Sequence, residues 1–406
     1  MSNFSSSEIQ EIVRTLSGQP EVSRLLADWP DLAASIVDEA LTIQSVPAPT
    51  FAEKLRTELV RQRFAALNLA DVAVDEVGNV WARTPGSQPH LPALMVSAHL
   101  DTVFAAGTDL AARRDPTGQQ IVAPGLGDNS LGVAGMLGLA RQLSERAIIP
   151  HSDIWWVATV GEEGLGDLYG MRHACARMGD DLGAVIVLEG LGLGRVYHAG
   201  LGVRRLKVDV RGPGGHSWLH SERPSAIHQL VAIGGALLKH VQPGERPKTS
   251  FNIGLIEGGD SINSRASHAS LSIDLRSEDP AALAELERDV IGAITRTPCH
   301  PALVVTTQVI GDRPFGRLHT EHPLVQAACA VLDALAWSPL TLDIGSTDAN
   351  IPLSRGIPAV CIGLTTGGNA HTLEESIETP PLPTGMRQLT LLALAVAEHS
   401  AQWAEW

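Results

Sequence analysis

Aromatic side chains make up only 4% of the 406 residues, and cysteine occurs four times. Scarce aromatics together with plentiful alanine and 39 glycines suit an α/β protein with many close loops. Cys175, Cys299, Cys329 and Cys361 are far apart, none within ligand spacing of another. A zinc knuckle or a disulfide framework is therefore not expected, and buried free thiols in a reducing compartment are. Positive charge is in deficit: 30 Lys and Arg stand against 45 Asp and Glu, a formal net charge of −15. That balance argues against nucleic acid as a partner. No apolar run is of membrane length. The stretch MSNFSSSEIQEIVR has neither a basic start nor an apolar segment, so no signal peptide and a cytoplasmic location are expected. Internal repeats and low-complexity tracts are lacking too, and two domains are expected at this length.

What is present is a regular succession of elements. Residues 22–66 carry apolar positions at helical spacing, among them Leu25, Leu26, Leu32, Ile36, Leu41 and Ile43. Strands begin with DVAVDEVGNVWAR (71–83), where Gly78 marks a turn. Short apolar runs without alternation then recur: ALMVSA (93–98), IWWVATV (154–160), AVIVL (184–188) and PAVCIGL (358–364). Runs apolar on both faces predict interior strands of a mixed, mostly parallel sheet flanked by helices, the α/β class. Helices are expected over 129–143 and in LTLLALAVAEH near the end. From about 204 to 312 the pattern changes to strand, helix, strand, strand, helix, strand, a βαββαβ order that predicts an antiparallel sheet with two helices on one face. The expected organisation is an α/β domain in two parts, 1–203 and 319–406, with an α+β domain inserted at 204–318.

Four interior strands run into ligand-type side chains. ALMVSA leads to His99 and Asp101, IWWVATV to Glu162 and Glu163, AVIVL to Glu189, and PAVCIGL to a glycine-bearing loop with His371. Asp128, in GLGDNS, precedes the expected helix. Singly, each has an ordinary reading: a surface histidine, a helix cap, a solvated loop charge. Together they share a place, because the crevice of an open α/β sheet lies outside the carboxyl ends of its strands. Several carboxylates in one crevice repel unless cations neutralise them, and two divalent ions would do so. Two histidines with three carboxylates suit Zn²⁺, with Co²⁺ or Mn²⁺ tolerable. His99 and Asp101 are two apart, so on an extended segment they point the same way. Asp101 is therefore expected to accept from the His99 ring rather than to ligate.

The blocks SAHLDTV, GLGDNSLGVAGML, TVGEEGLGDLYG, VLEG and GNAHTLEE, in that order, resemble the signatures of the di-zinc exopeptidase and amidohydrolase superfamily. Its members include peptidase T, carboxypeptidase G, aminoacylase and the succinyl-diaminopimelate desuccinylases. The resemblance spans almost the whole chain. It implies that His99, Asp128 and Glu189 hold one metal ion and that Asp128, Glu163 and His371 hold a second, with Asp128 bridging. Glu162 is then the general base, taking a proton from a water activated by the ions and passing it to the leaving nitrogen. The cations offset the repulsion between adjacent Glu162 and Glu163, and the flanking Gly161 and Gly164 permit a sharp turn.

The insertion contributes VRGPGGHSWLH (210–220). A phosphate-binding loop would need Lys-Ser or Lys-Thr at a helix start, which is absent. By the resemblance, His216 stabilises the tetrahedral oxyanion, often in the active site of the opposite subunit, and this implies a homodimer through the inserted domain. Asn263 and Arg276 occupy positions that grip the substrate carboxylate in similar proteins. Ser346, Thr347 and Asp348 in DIGSTDANIP resemble a substrate-side loop and lean towards a peptidase T-like branch. The run GLGLGRVYHAGLG (190–202) is not read as a dinucleotide turn, because strand rather than helix follows it. An aminopeptidase acting on di- or tripeptides is the first expectation. An N-acyl amino acid amidohydrolase or a carboxypeptidase is the alternative, and the two differ in whether the pocket holds a free α-amine or an acyl group. A non-catalytic binding protein of this fold would be expected to have lost Glu162 or a ligand, and all are present.

Overall fold

A computed structural model describes residues 4–404; the first three residues of the N-terminal stretch read above lie outside it. The chain forms two compact units. One runs to Gly200 and resumes at Gly316, and the other is Leu201–Phe315. Both junctions fall three residues before the expected positions. At the first, the strand Gly202–Arg211 already belongs to the inserted sheet; at the second, Gly316–Arg317 pairs with Arg195–Gly200 of the larger unit.

In the larger unit, the sheet runs Ala70–Val74, Val80–Thr84, Ile154–Thr159, Ala93–His99, Leu182–Leu191, Ala359–Thr365, Arg195–Gly200, Gly316–Arg317. Its middle four strands are parallel, while the flanking pairs are antiparallel apart from Thr341–Gly345 beside Arg195–Gly200. Alternate residues of each middle strand enter different cores. Leu94, Val96, Ile186, Leu188, Val360 and Ile362 pack with the helices Pro20–Gln44, Leu131–Glu145 and Leu382–Ala404. Met95, Val185, Val187 and Cys361 pack with the opposite layer, which includes Tyr169–Met178. Apolar residues at both phases are what a doubly covered strand requires. Because these four strands are parallel neighbours, their carboxyl ends line one edge, the edge that carries the ligand-type residues.

A second, four-stranded sheet was not foreseen. It joins Gly367–Gly368, Ser376–Glu378, Gln120–Val122 and Arg113–Arg114. Strands of two or three residues have no readable period, so pattern alone cannot find them.

The smaller unit is an antiparallel sheet ordered Thr249–Gly258, His268–Ser277, Gly202–Arg211, Val304–Arg313. The helices Ala226–His240 and Pro280–Arg296 bury Leu230, Ile233, Leu237, Leu286 and Val290 against Leu206, Val208, Leu271 and Ile273. A short ribbon, Gly215–His216 with Ser264–Arg265, stands apart from this sheet. No described helix is long and apolar enough to cross a membrane. All four cysteines are free; Cys175 and Cys361 are buried as expected, but Cys299 is exposed and Cys329 only partly covered.

Candidate metal centre

His99 is the last residue of its strand and is buried, so burial fixes its ring beneath the sheet edge. Its Nδ1 lies 3.0 Å from the backbone carbonyl of Asp101 and 3.6 Å from that residue's carboxylate. This ring nitrogen therefore faces both a carbonyl, the nearer group, and the Asp101 carboxylate expected beside it. The Asp101 carboxylate also braces the Glu162–Glu163 turn. One oxygen accepts from the Glu162 N–H and the other from the Glu163 N–H, both at 2.9 Å, and Thr50 donates a third bond at 2.9 Å. Behind it, the buried Arg56 guanidinium donates to the carbonyls of Leu100 at 2.8 Å and Val46 at 2.7 Å. Burial pulls Arg56 down to about 10, so it stays a cation at neutral pH. Arg56 lies in a stretch that reads as plain amphipathic helix, which is why the sequence did not expose it.

The turn before Glu162 requires glycine. Gly161 has φ +65°, and a Cβ there would sit 1.9 Å from the Tyr169 ring. Asp128 is not a helix cap: its φ and ψ are −118° and 90°, and the regular helix begins only at Leu131. Asn129 holds the turn down by donating to the Leu188 carbonyl at 2.7 Å. At Gly190 a Cβ would lie 2.2 Å from the Gly127 carbonyl, so only glycine lets this turn approach the strand that carries Glu189.

These supports bring the five candidates together as two triplets. His99 Nε2 stands 3.0 Å from Asp128 Oδ1 and 3.7 Å from Glu189 Oε2. His371 Nε2 stands 2.9 Å from Asp128 Oδ2 and 3.2 Å from Glu163 Oε1. Ligand atoms of His99, Asp128 and Glu163 all fall within 4.8 Å of one another. The two oxygens of Asp128 thus face different histidines, one each. Donors about 2.0–2.1 Å from a tetrahedral ion stand roughly 3.3 Å apart, which these separations match. Glu163 Oε1 is buried and, beyond the His371 ring, makes no hydrogen bond among the described residues. The donor set and the burial of this oxygen fit a pair of divalent ions.

Electrostatics agree. The Asp128 and Glu163 carboxylates lift His371 to about 10, against a smaller effect of burial. Burial alone would lower His99, but Asp101, Asp128 and Glu189 outweigh it and hold it well above its ordinary value. Burial pushes Glu189 up to about 7, with His99 opposing. Burial also disfavours a charged Asp128, yet His371 and His99 hold it far below the usual carboxylate range. Without metal, protons on the two imidazoles supply the positive charge that the carboxylates demand; a divalent ion displaces them. The sign for stability follows. A His371 pKa raised above its unfolded value of about 6.5 contributes stability that is complete below that pH and lost as pH rises towards about 10. The melting-temperature gap between the chelated parental protein and chelated H371N should therefore narrow from pH 7 to 10; a constant gap would refute the pairing.

The substrate-side residues are divided. Ser346 and Thr347 are partly exposed, whereas Asp348 is 1% exposed and accepts from the Thr159 hydroxyl at 2.6 Å. Asp348 thus braces the end of the 154–159 strand. His216 and Asn263 are neighbours, since His216 pairs with Ser264 and Ser217 donates to the Asn263 carbonyl at 2.8 Å. Both are exposed. Arg276 is elsewhere: it pairs with Val203, whereas His268, near the ribbon, pairs with Arg211. Eight residues of strand separate these ends, about 26 Å at ~3.3 Å per residue. Its guanidinium binds Asp274 at 2.7 Å. Within one chain the strand therefore separates Arg276 from the ribbon that carries His216 and Asn263.

Glu375 was not singled out from the sequence, where it is one of two adjacent glutamates in HTLEES. The structure buries it completely against the Asp128 turn, and burial raises it to about 7.

Ligand-type side chains gathered at the carboxyl edge of a central parallel sheet, with an α+β insertion, define the class: a metallohydrolase. The chain belongs to peptidase family M20/M25/M40, whose description matches residues 95–395. It is similar to ureidoglycolate hydrolase of Arabidopsis thaliana, 26% identical over 309 residues, which span 64% of this chain and 63% of that protein, just under two thirds of its length. Among solved structures it resembles a tripeptidase from Staphylococcus aureus, with TM-score 0.73 and 22% identity over 90% of this chain and 98% of that one. It also resembles the YXEP protein of Bacillus subtilis, described as a dinuclear metal binding peptidase, with TM-score 0.63 and 15% identity over 91% and 99%. These last two likenesses are of fold.

Proposed function

We propose that the protein hydrolyses an amide bond in a short peptide, as an aminopeptidase on di- or tripeptides, through two divalent metal ions. The observation that carries this reading is the pair of donor triplets sharing Asp128. His99, Asp128 and Glu189 would hold one ion, and Asp128, Glu163 and His371 the other. Zn²⁺ suits this mixed set best, and Co²⁺ or Mn²⁺ would substitute. When bound, the ions acidify water and polarise the amide carbonyl. Glu162, set beside Glu163 by the Asp101 brace, accepts the proton of the attacking water and delivers it to the leaving nitrogen. Asp101 fixes the turn and has no proton to move.

His216 would donate to the oxyanion and Asn263 would bind beside it. By the resemblance, the His216 ribbon would serve the site of a second copy, with Asn263 and Arg276 on the substrate carboxylate. The outer strand Thr249–Gly258 leaves Leu255 and Ile256 exposed, and the helix Ala226–His240 leaves Val231 and Leu238 exposed. These exposed apolar residues support a homodimer through the insertion. Free cysteines support a reducing, cytoplasmic setting.

The likeness to ureidoglycolate hydrolase favours a second reading, an amidohydrolase acting on an N-acyl or ureido group with the same centre. A substrate panel separates them: di- and tripeptides with free and blocked amines, N-acetyl, N-succinyl and N-carbamoyl amino acids, and ureidoglycolate. Turnover of free-amine peptides alone is expected. Turnover confined to acyl or ureido substrates would overturn the peptidase reading, and activity surviving chelation would overturn the metal reading.

A further inference from the structure

We propose that Glu375 is a positioning residue that ties the Asp128 turn and the His371 loop into one unit, so that the two donor triplets close together. This inference rests on the two-metal reading. One carboxylate oxygen of Glu375 accepts two consecutive backbone N–H groups, from Gly127 at 2.7 Å and from Asp128 at 2.9 Å. Its backbone carbonyl accepts from the Ala123 N–H at 2.9 Å. Both its side chain and its main chain thus hold residues 123–128. Glu375 is also four residues past His371, and the loop between is closed by bonds from Thr372 N–H to the Asn369 carbonyl and from Glu375 N–H to the Thr372 carbonyl, each 3.1 Å. The next residue, Ser376, pairs with Val122 in the small sheet. A shift of either loop is therefore transmitted to the other through this carboxylate.

A purely structural role accounts poorly for the residue. The second carboxylate oxygen is buried with no hydrogen bond among the described residues, and the Asp128 carboxylate is close by. A buried acceptor left half unmet, beside like charges, costs stability. Its gain is geometric: the two Asp128 oxygens remain aimed at His99 and His371.

The test is a Co²⁺ titration of the chelator-stripped full chain, read by visible absorption and by competition with a chromophoric chelator, on the parental protein, E375A and E375Q. Melting temperatures of the metal-free forms accompany it. The parental chain should take two ions. E375A should lose about 10–100-fold in affinity, the usual effect of removing a group that orients ligands, with an altered spectrum. E375Q keeps a carbonyl oxygen for both N–H groups and should recover most of the affinity. If E375A does not fold, E375D, which withdraws the carboxylate by one methylene, carries the same expectation. Parental affinity and spectrum in E375A or E375D, even with a lowered melting temperature, would overturn the proposal, as would a loss in E375Q equal to that in E375A. A parental chain that takes up no metal would instead overturn the two-metal reading.

Discussion

Replacing Glu162 with glutamine is expected to lower kcat by about 10²–10⁴-fold, the range for a lost general base, while metal content stays at two ions per chain. The reason lies in the separation of roles at the turn. The backbone of Glu162, not its side chain, is what Asp101 holds at 2.9 Å, so glutamine preserves the turn. Glu163, whose oxygen approaches His371 at 3.2 Å, remains the ligand. The amide that replaces the Glu162 carboxylate can still touch a water but cannot take its proton. Kinetics on the best substrate of the panel, with metal counted by mass spectrometry, checks this. Unchanged kcat would remove Glu162 as the base, and loss of metal would make it a ligand instead.

Asp128→Asn should have the broader effect. An amide has one acceptor oxygen where the carboxylate has two, and the two oxygens of Asp128 serve different triplets at 3.0 and 2.9 Å. Metal content should fall below two ions per chain, and turnover should drop to that of the chelated parental protein. The variant also removes the negative charge that helps lift both histidines. Proton release on adding metal should shrink accordingly. By contrast, a substitution on one triplet alone, such as Glu189→Gln, should weaken one ion more than the other. A variant D128N that keeps both ions and full turnover would end the bridging assignment.

The positions of His99, Glu163 and Glu189 were legible because each follows an unmistakable apolar run: ALMVSA, IWWVATV and AVIVL. Parallel neighbours put those ends side by side, and the sheet order does so for all of them. The inserted sheet was legible for the same reason, since its strands are ten residues long. What escaped was whatever depends on contacts between distant residues. The Asp101 carboxylate was assigned to the His99 ring by spacing, which does not show that it also accepts from the two N–H groups of the next strand's turn. Glu375 and the small sheet have no local period, Arg56 sits in an ordinary helix, and all three acquire meaning through partners tens or hundreds of positions away. Asn263 and Arg276 were named together through the resemblance, which does not show that the ten-residue strand His268–Ser277 runs between the ribbon and Arg276.

The proposed chemistry stands or falls with Asp128 as the shared ligand of two ions. Anomalous scattering from crystals of the full chain grown with Zn²⁺ tests this most directly. Two metal peaks per chain are expected, one among His99, Asp128 and Glu189 and one among Asp128, Glu163 and His371. A single peak, or a pair that Asp128 does not join, would contradict the shared-ligand assignment.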